Sequence, residues 1–456
     1  MNKDRYLISN DSSIKDALKS IESNNLGIIF IQKNNQVIGT LTDGDIRRAL
    51  LKNHSIDSKI IDLINMDYIY LYEKDASREN ILKILDNRIK VVPILSEKKE
   101  FLTVVSQNNI DWNVNEKMIS KARSPLRISF AGGGTDITSY FYDEAGVVLN
   151  ATINKFTHAI LEKNTDNSIK IKSYDLQTEL NSSNLSKLEY DGKLDLIISL
   201  IKLMKPDYGF NLYTYSDVPP GSGLGGSAVL LSAIIGAFNN FRENKYTDYE
   251  IAELAFHAER IVMGLSGGWQ DQYATVFGGF NYIEFKDNEN IVNSLKINDS
   301  IKVELEDSLI LCYTGLTHNS GSIHDVQKEN MMNKKEKDYA DISKNIAYEM
   351  KSRLLKGDLN DFGELLNKAW FTKKQFSKDI TSNYLDEIYD FAISNGAIGG
   401  KLLGAGGGGY FLFYVPTFKK LSLSGALETK GLEIESFTFD DNGLRTWVSK
   451  KNNEDR

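Results

Sequence analysis

The sequence predicts an α+β protein of more than one domain, and three observations lead there. Strand-like and helix-like segments are mixed without the regular strand–helix–strand repetition of a parallel-sheet fold. Residues 1 to about 115 read as a weak internal duplication. From Lys121 onward the pattern changes, and three glycine-rich turns (AGGGTD, PGSGLGG, GAGGGG) punctuate the chain. At 456 residues, 41% hydrophobic and 25% charged, the chain is long enough for two or three domains with sizeable cores.

The first copy of the duplication has a helix (SIKDALKSIESNN), two strands (GIIFIQ, QVIGTLT) and a helix beginning DGDIRRALL. The second has a helix (SRENILKILDN) and two strands (KVVPILS, EFLTVVS), after which the polar SQNNIDWNVNEKMISKA reads as a linker. Beyond it, RSPLRISFAGGGTD is a strand running into a glycine turn, and GVVLNATINKFTHAILEK and NSIKIKSYD are strands by their β-branched content. DGKLDLIISLIKLM is an amphipathic helix. GFNLYTYSDV is a strand, and SAVLLSAIIGAFNNF, apolar nearly all round, is a buried helix. YTDYEIAELAFHAERIVMG is a further helix with Thr247 or Asp248 as N-cap. The last third alternates helices such as DEIYDFAISNG with strands (YFLFYV, IESFTF).

Composition removes several classes of function. A net charge of -8 without a basic tract argues against nucleic acid as a partner. One cysteine, Cys312, allows no intrachain disulfide and suits a reducing cytoplasm. The opening residues lack the apolar core of a signal peptide, and no run of 18 apolar residues occurs, so no membrane partner is expected. The five histidines show no ligand spacing, so no transition-metal site is expected.

Between Pro219 and Ala228 the chain reads PPGSGLGGSA. Gly221, Gly223 and Gly226 fit the G-x-G-x-x-G dinucleotide fingerprint, but that fold needs a strand after the glycine-loop helix with an acid near its end. Here the chain turns polar after Phe241 and enters a second helix. A P-loop lacks its lysine between Gly226 and Ser227. The physics common to both motifs remains: glycines admit close approach of a ligand and point N–H groups inward, and the helix starting at Gly225 to Ala228 aims its positive end at the same place. Phosphate binding therefore fits better than a tight packing turn.

PPGSGLGGSA resembles the ATP-binding motif of the GHMP kinase superfamily, whose loop holds nucleotide phosphates without a Walker lysine. RSPLRISFAGGGTD resembles that family's N-terminal substrate motif, and KLLGAGGGGY its C-terminal glycine motif. The resemblance implies an N-terminal mixed α/β domain (123–310) with a left-handed-type crossover and a C-terminal ferredoxin-like domain (311–456), joined through a linker at 116–122 to the first block. It implies an ATP-dependent kinase using Mg²⁺. ATP would lie on Pro220, Gly221, Ser222, Gly223, Leu224, Gly225, Gly226, Ser227 and Ala228, and Mg²⁺ on Ser227 and Glu259. Asp271 matches the aspartate that orients or deprotonates the acceptor hydroxyl, and Arg127 the cation beside it. On their residue types alone, Glu259 could equally pair with a neighbouring arginine and Asp271 could cap a helix.

For the acceptor, Gly133, Gly134, Thr135 and Asp136 match the sugar-binding motif, with Gly406 and Gly407 from the C-terminal motif. Galactokinases carry Gly-Glu-His-Thr-Asp where this chain has Gly132-Gly133-Gly134-Thr135-Asp136, which opens the pocket and implies a larger sugar. AGGGTD, GGWQDQYATVFGGFNYIEF and GGKLLGAGGGGYFLFY together resemble the D-glycero-D-manno-heptose 7-phosphate kinases, which phosphorylate the anomeric hydroxyl to give the 1,7-bisphosphate used for nucleotide-activated heptose and surface polysaccharide. L-fucokinase or another sugar-1-kinase is the alternative, and a non-catalytic adenine-nucleotide sensor the alternative from another class. A phosphorylated substrate needs cations, for which Lys373 and Lys374 are the candidates, with Arg123 and Lys401 beside them. His318, Asn319 and Ser320 are further candidate acceptor contacts. The first block (1–115) resembles a CBS pair, with Gly39, Thr42 and Asp45 as its G-x-x-T-x-x-D pattern. That resemblance implies an adenine nucleotide at one site and admits a homodimer.

Overall fold

The computed structural model describes residues 5–85, 89–107, 118–317 and 334–450, and the chain divides into two compact units, Met1–Glu116 and Lys117–Arg456. In the first unit the duplication appears as repeated topology. Strands β1 (Leu7–Ser9), β2 (Ile28–Lys33) and β3 (Gln36–Thr42) make one sheet, and β4 (Leu71–Tyr72), β5 (Val91–Leu95) and β6 (Phe101–Ser106) another. In each, the first strand is parallel to the second, the second antiparallel to the third, and the register shifts late in the second strand. A parallel pair needs a crossover, which the helices Ile14–Asn24 and Arg78–Ile84 occupy. The former buries Ile14, Ala17 and Ile21 against Ile29, Ile31 and Leu41. Strands β1 and β4, of three and two residues, are too short to show alternation and were not anticipated.

The second unit holds two sheets. The larger combines β7 (Met118–Ala131), β8 (Gly146–Lys163), β9 (Ile169–Ser173), β10 (Thr178–Ser182), β11 (Phe210–Ser216), β12 (Phe280–Phe285), β13 (Asn290–Ser294) and β18 (Arg445–Lys450). The expected linker thus ends inside a strand, because Ser120 and Ala122 are buried positions of β7 paired with β8. Strand β9 is parallel to β11, and the chain between them runs through β10 and the Asp195–Met204 helix, where the anticipated crossover falls.

The smaller sheet has the order β15 (Gly399–Leu402), β16 (Tyr410–Tyr414), β14 (Leu309–Tyr313), β17 (Glu433–Glu435), all antiparallel. With helices after β14 and β16, this is the β-α-β-β-α-β arrangement of a ferredoxin-like fold. Division of the kinase unit after residue 310 fails in two ways: that point lies inside β14, and β18 returns to pair with β7 in the larger sheet. IESFTF is a strand only through Glu435.

The Gly226–Asn239 helix buries every position from Ala228 to Phe238 except Leu230, and packs against β7 and β8. Its start is thereby fixed against the sheet at the site described next.

Candidate active site

Residues 219–228, apart from Leu224, line a cavity of about 330 Å³. Gly221, Gly223 and Gly225 take φ of 75°, 80° and 84°, a region open to glycine. Gly225 stands at the N-cap of the Gly226–Asn239 helix, where no side chain caps the helix and no acid lies in its first turn. The N–H groups and positive dipole end therefore meet the cavity without an internal anion. Leu224, expected on the nucleotide, points the other way: it is fully buried in the core, and its carbonyl accepts from Arg127 N at 3.2 Å.

The C-terminal glycine motif explains itself by packing. A Cβ on Gly404 would lie 2.5 Å from Gly223 Cα, and one on Gly409 would lie 2.3 Å from Ser222 O. Two glycine turns thus stack backbone on backbone. Gly404 reaches the cavities, whereas Gly406 and Gly407, expected at the substrate, do not line them: they pack on the Ile380 segment, with Gly407 N donating to Ile380 O at 2.9 Å.

A second cavity, about 70 Å³, is lined by Gly132, Gly133, Gly134 and Asp136 on one side and by Gly268, Gln270, Lys373 and Lys401 on others. Arg127 and Asp271 line both cavities. Arg127 Nε and Nη2 donate to the two carboxylate oxygens of Asp271, each at 2.7 Å, and Nη1 donates to Gly223 O at 2.8 Å. This fork locks both side chains on the shared wall. The Asp136 carboxylate accepts from Gly134 N and Gln270 N, each at 3.1 Å, tying the glycine turn to the Gln270–Phe277 helix. Burial, then the charge of Asp271, pushes its pKa up. Thr135, expected to touch substrate, is instead fully internal, its hydroxyl bonded to Gly132 O, Val147 O and Val147 N.

Glu259 and Arg260 sit on a π-helical turn, His257–Val262, which brings two consecutive side chains inward. Such turns recur at functional sites. Glu259 accepts from Gln272 Nε2 at 2.7 Å and lies 3.4 Å from Arg260, so the arginine pairing is real, while it still lines the larger cavity beside Ser227 and Asp271. Burial raises the Glu259 pKa, and Arg260 opposes the rise. Arg260 was not singled out from the sequence. It lines both cavities, and its guanidinium lies over Gly267, where a Cβ would come within 2.4 Å of Cζ.

Two of the cation candidates separate from the site. Lys374 turns to Asp386 at 3.3 Å, since consecutive helical residues point about 100° apart. Arg123 lies over the Phe156 ring at 4.7 Å and lines neither cavity. His318, Asn319 and Ser320 lie outside the described residues. In the first unit, Thr42 and Asp45 form a reciprocal capping box: Thr42 N donates to Asp45 Oδ2 at 2.9 Å, Asp45 N donates to Thr42 Oγ1 at 3.1 Å, and Arg48 pairs with Asp45. A Cβ on Gly39 would lie 2.4 Å from Ile64 Cγ2. The residues of the expected nucleotide pattern thus also cap and pack the local fold.

The chain matches the GHMP kinases N terminal domain over residues 195–279, the GHMP kinases C terminal domain over 350–420 and the CBS domain over 1–52. It is 39% identical over 333 residues to the D-glycero-alpha-D-manno-heptose 7-phosphate kinase of Campylobacter jejuni, covering 72% of this chain and 98% of that protein. It is 26% identical to the L-fucokinase/L-fucose-1-P guanylyltransferase of Bacteroides fragilis, covering 81% of this chain and 40% of that one. The crystal structure of a D-glycero-D-manno-heptose 1-phosphate kinase from Bacteroides thetaiotaomicron superimposes with a TM-score of 0.60 at 34% identity, over 72% of this chain and 98% of that one. The chain thus belongs to the GHMP kinase family and is a sugar kinase, with a CBS domain at its N-terminus.

Proposed function

We propose that this kinase transfers the γ-phosphoryl group of ATP to the anomeric hydroxyl of D-glycero-D-manno-heptose 7-phosphate, giving the 1,7-bisphosphate for nucleotide-activated heptose. The observation that carries the reading is the Arg127–Asp271 pair on the wall shared by an amide-rich cavity and a glycine-walled one. Triphosphate would lie along residues 219–228, and Leu176, Leu194, Ile197 and Val218 at the other walls of that cavity offer an apolar seat for a base. The acceptor would enter between the Gly132–Gly134 turn and Gln270. Asp271, held in place by Arg127, would orient the acceptor hydroxyl and take its proton as transfer proceeds. Arg127, Arg260 and the helix start offset negative charge on the moving phosphoryl group.

The residues present suit Mg²⁺. Ser227, Glu259 and Asp271 present only oxygen ligands to the larger cavity, and the buried Gln272 Oε1 beside Glu259 has no hydrogen-bond partner among the described residues. Few protein ligands plus phosphate oxygens is the usual arrangement for Mg²⁺, which supplies charge neutralisation on the β- and γ-phosphates. Removal of divalent cations by EDTA should stop turnover, and Mg²⁺ should restore it.

The direct test is ADP release with heptose 7-phosphate, L-fucose or no sugar. Heptose 7-phosphate should give the highest kcat/KM, and faster turnover of fucose would favour the reading carried by the Bacteroides fragilis relative. Asp271→Asn should lower kcat by about 10²–10⁴, the usual size of a lost acid–base contribution, with ATP-analogue affinity kept within a few fold. A near-normal rate in that variant refutes the role given to Asp271.

A further inference from the structure

The acceptor cavity contains two lysines whose partners are all main-chain carbonyls. Lys401 Nζ donates to Ser129 O at 3.0 Å and Phe130 O at 3.3 Å, and the side chain is 5% exposed. Lys373 Nζ donates to Leu402 O at 2.8 Å and Gly404 O at 2.6 Å. An ammonium has three donors, so each keeps one N–H beyond these bonds. Among the described residues neither forms an ion pair. The charge of Asp136 is felt at Lys401, while Lys373 feels only the cations Lys401 and Arg127. Withdrawing the buried Lys401 ammonium and the half-buried Lys373 ammonium from water with Asp136 as the one carboxylate acting on them is costly, and an incoming anion would relieve that cost.

The charge balance of the walls points the same way. Of the four cations on these walls, Arg127 is held by Asp271 and Arg260 pairs with Glu259, which leaves Lys373 and Lys401 with Asp136. Two ammonium groups against one carboxylate leave these walls with an unmatched positive charge, which suits a phosphate ester. Room exists for it, because a Cβ on Gly133 would meet nothing within 4 Å. The larger cavity has its own anion apparatus in the loop amides and helix start, so ATP does not need these lysines as its principal seat.

We propose that Lys373 and Lys401 form the seat for the phosphate ester carried by the sugar acceptor, and that this pair sets the preference for a sugar phosphate over a free sugar. The inference rests on the kinase reading above and deepens it. Burial, then the charge of Arg127, presses the Lys401 pKa down to about 7, and burial, then the charges of Lys401 and Arg127, lowers that of Lys373, so an entering phosphate also draws protons onto them.

The test is equilibrium binding of heptose 7-phosphate and of the same heptose without phosphate, in the presence of a non-hydrolysable ATP analogue, with inorganic phosphate as competitor. The unaltered protein should bind the phosphorylated sugar at least tenfold more tightly. Lys401→Met and Lys373→Met, which replace a buried charge by a chain of similar length, should each cut that preference tenfold or more. Affinity for the ATP analogue should change less than about threefold, and Lys374→Met should keep the preference. Equal losses for both sugars, loss of ATP-analogue affinity, or an undiminished preference in both variants would overturn the seat. If heptose 7-phosphate is not turned over but inorganic phosphate and a different sugar phosphate compete through the same two lysines, the substrate assignment fails while the seat stands.

Discussion

A methyl group on Gly225 would end 3.3 Å from Asp271 Oδ2 and 3.5 Å from Arg127 Cζ, on a backbone at φ 84°. Gly225→Ala should therefore cost about 1–2 kcal/mol of stability from the left-handed backbone alone, read by thermal denaturation, and should lower kcat by displacing the ion pair. Gly133→Ala, with open space around the added methyl, should leave stability within about 0.5 kcal/mol and act on the KM of the acceptor. Lys401 supplies a pH dependence. It is charged below about pH 7 and loses its proton above, while a phosphate ester is already dianionic above about pH 6. Affinity for the phosphorylated sugar should fall as pH rises through 7, and affinity for the free sugar should not. Around Lys401, Arg127 and Arg260 stay charged over this range, Asp136 supplies the opposing negative charge, Asp271 is bound to Arg127, and Lys373 titrates in the same direction. At this scale the gathering of Arg127, Asp271, Glu259 and the loop glycines on the walls of one cavity was legible from motif order and spacing. Thr135, Leu224, Gly406 and Gly407 were not, since neighbours in one motif alternate between cavity and core, as Leu224 shows between Gly223 and Gly225.

Elements decide which side chains can share a wall. Within HAERIV a π-helical turn carries Glu259 and Arg260, which pair with each other and both line the larger cavity. No periodicity in the sequence announces such a turn, which is why Arg260 went unnoticed. Arg260→Lys keeps charge but loses the fork over Gly267, and should lower kcat about tenfold or more with little change in thermal stability. A fall in stability with normal kcat would mark Arg260 as a strut of the Leu265–Gly267 turn instead, since its Nη1 also donates to Ser266 O at 2.7 Å. In the first unit the same G-x-x-T-x-x-D spacing that suggested a nucleotide site is also capping-box spacing, and Thr42 and Asp45 form that box at the start of the Asp43–Leu51 helix. Asp45→Ala should cost that unit about 1 kcal/mol, the usual loss of an N-terminal cap. Strong elements, such as the all-apolar Gly226–Asn239 helix, were readable from pattern alone. The short strands β1 and β4 were not, because pairing rather than pattern creates them.

For the whole molecule, the chain divides into two compact units, and all the described residues that line the two cavities belong to the kinase unit. Deletion of residues 1–116 should therefore leave sugar phosphorylation within about twofold, while any change of rate caused by added AMP or ADP at the first unit should vanish. An unchanged nucleotide response in the shortened protein would remove the first unit from regulation. Among the described residues no helix is long and apolar enough to cross a membrane, and Cys312 is buried in the kinase core with its thiol pushed up to about 12. The two-lobed architecture was legible because three glycine turns in fixed order mark where the lobes meet. Its internal boundary was not, since β18 crosses back to the larger sheet after the smaller one is complete.

The central claim is that residues 219–228 hold a nucleoside triphosphate with its terminal phosphorus turned toward a sugar oxygen at Asp271. A crystal structure with a non-hydrolysable ATP analogue, Mg²⁺ and heptose 7-phosphate tests it most directly. The account requires the phosphates on the amides of that loop, the anomeric oxygen within hydrogen-bond reach of Asp271, and the 7-phosphate on Lys373 and Lys401. A nucleotide bound elsewhere with the loop empty, or a sugar remote from Asp271, would contradict it.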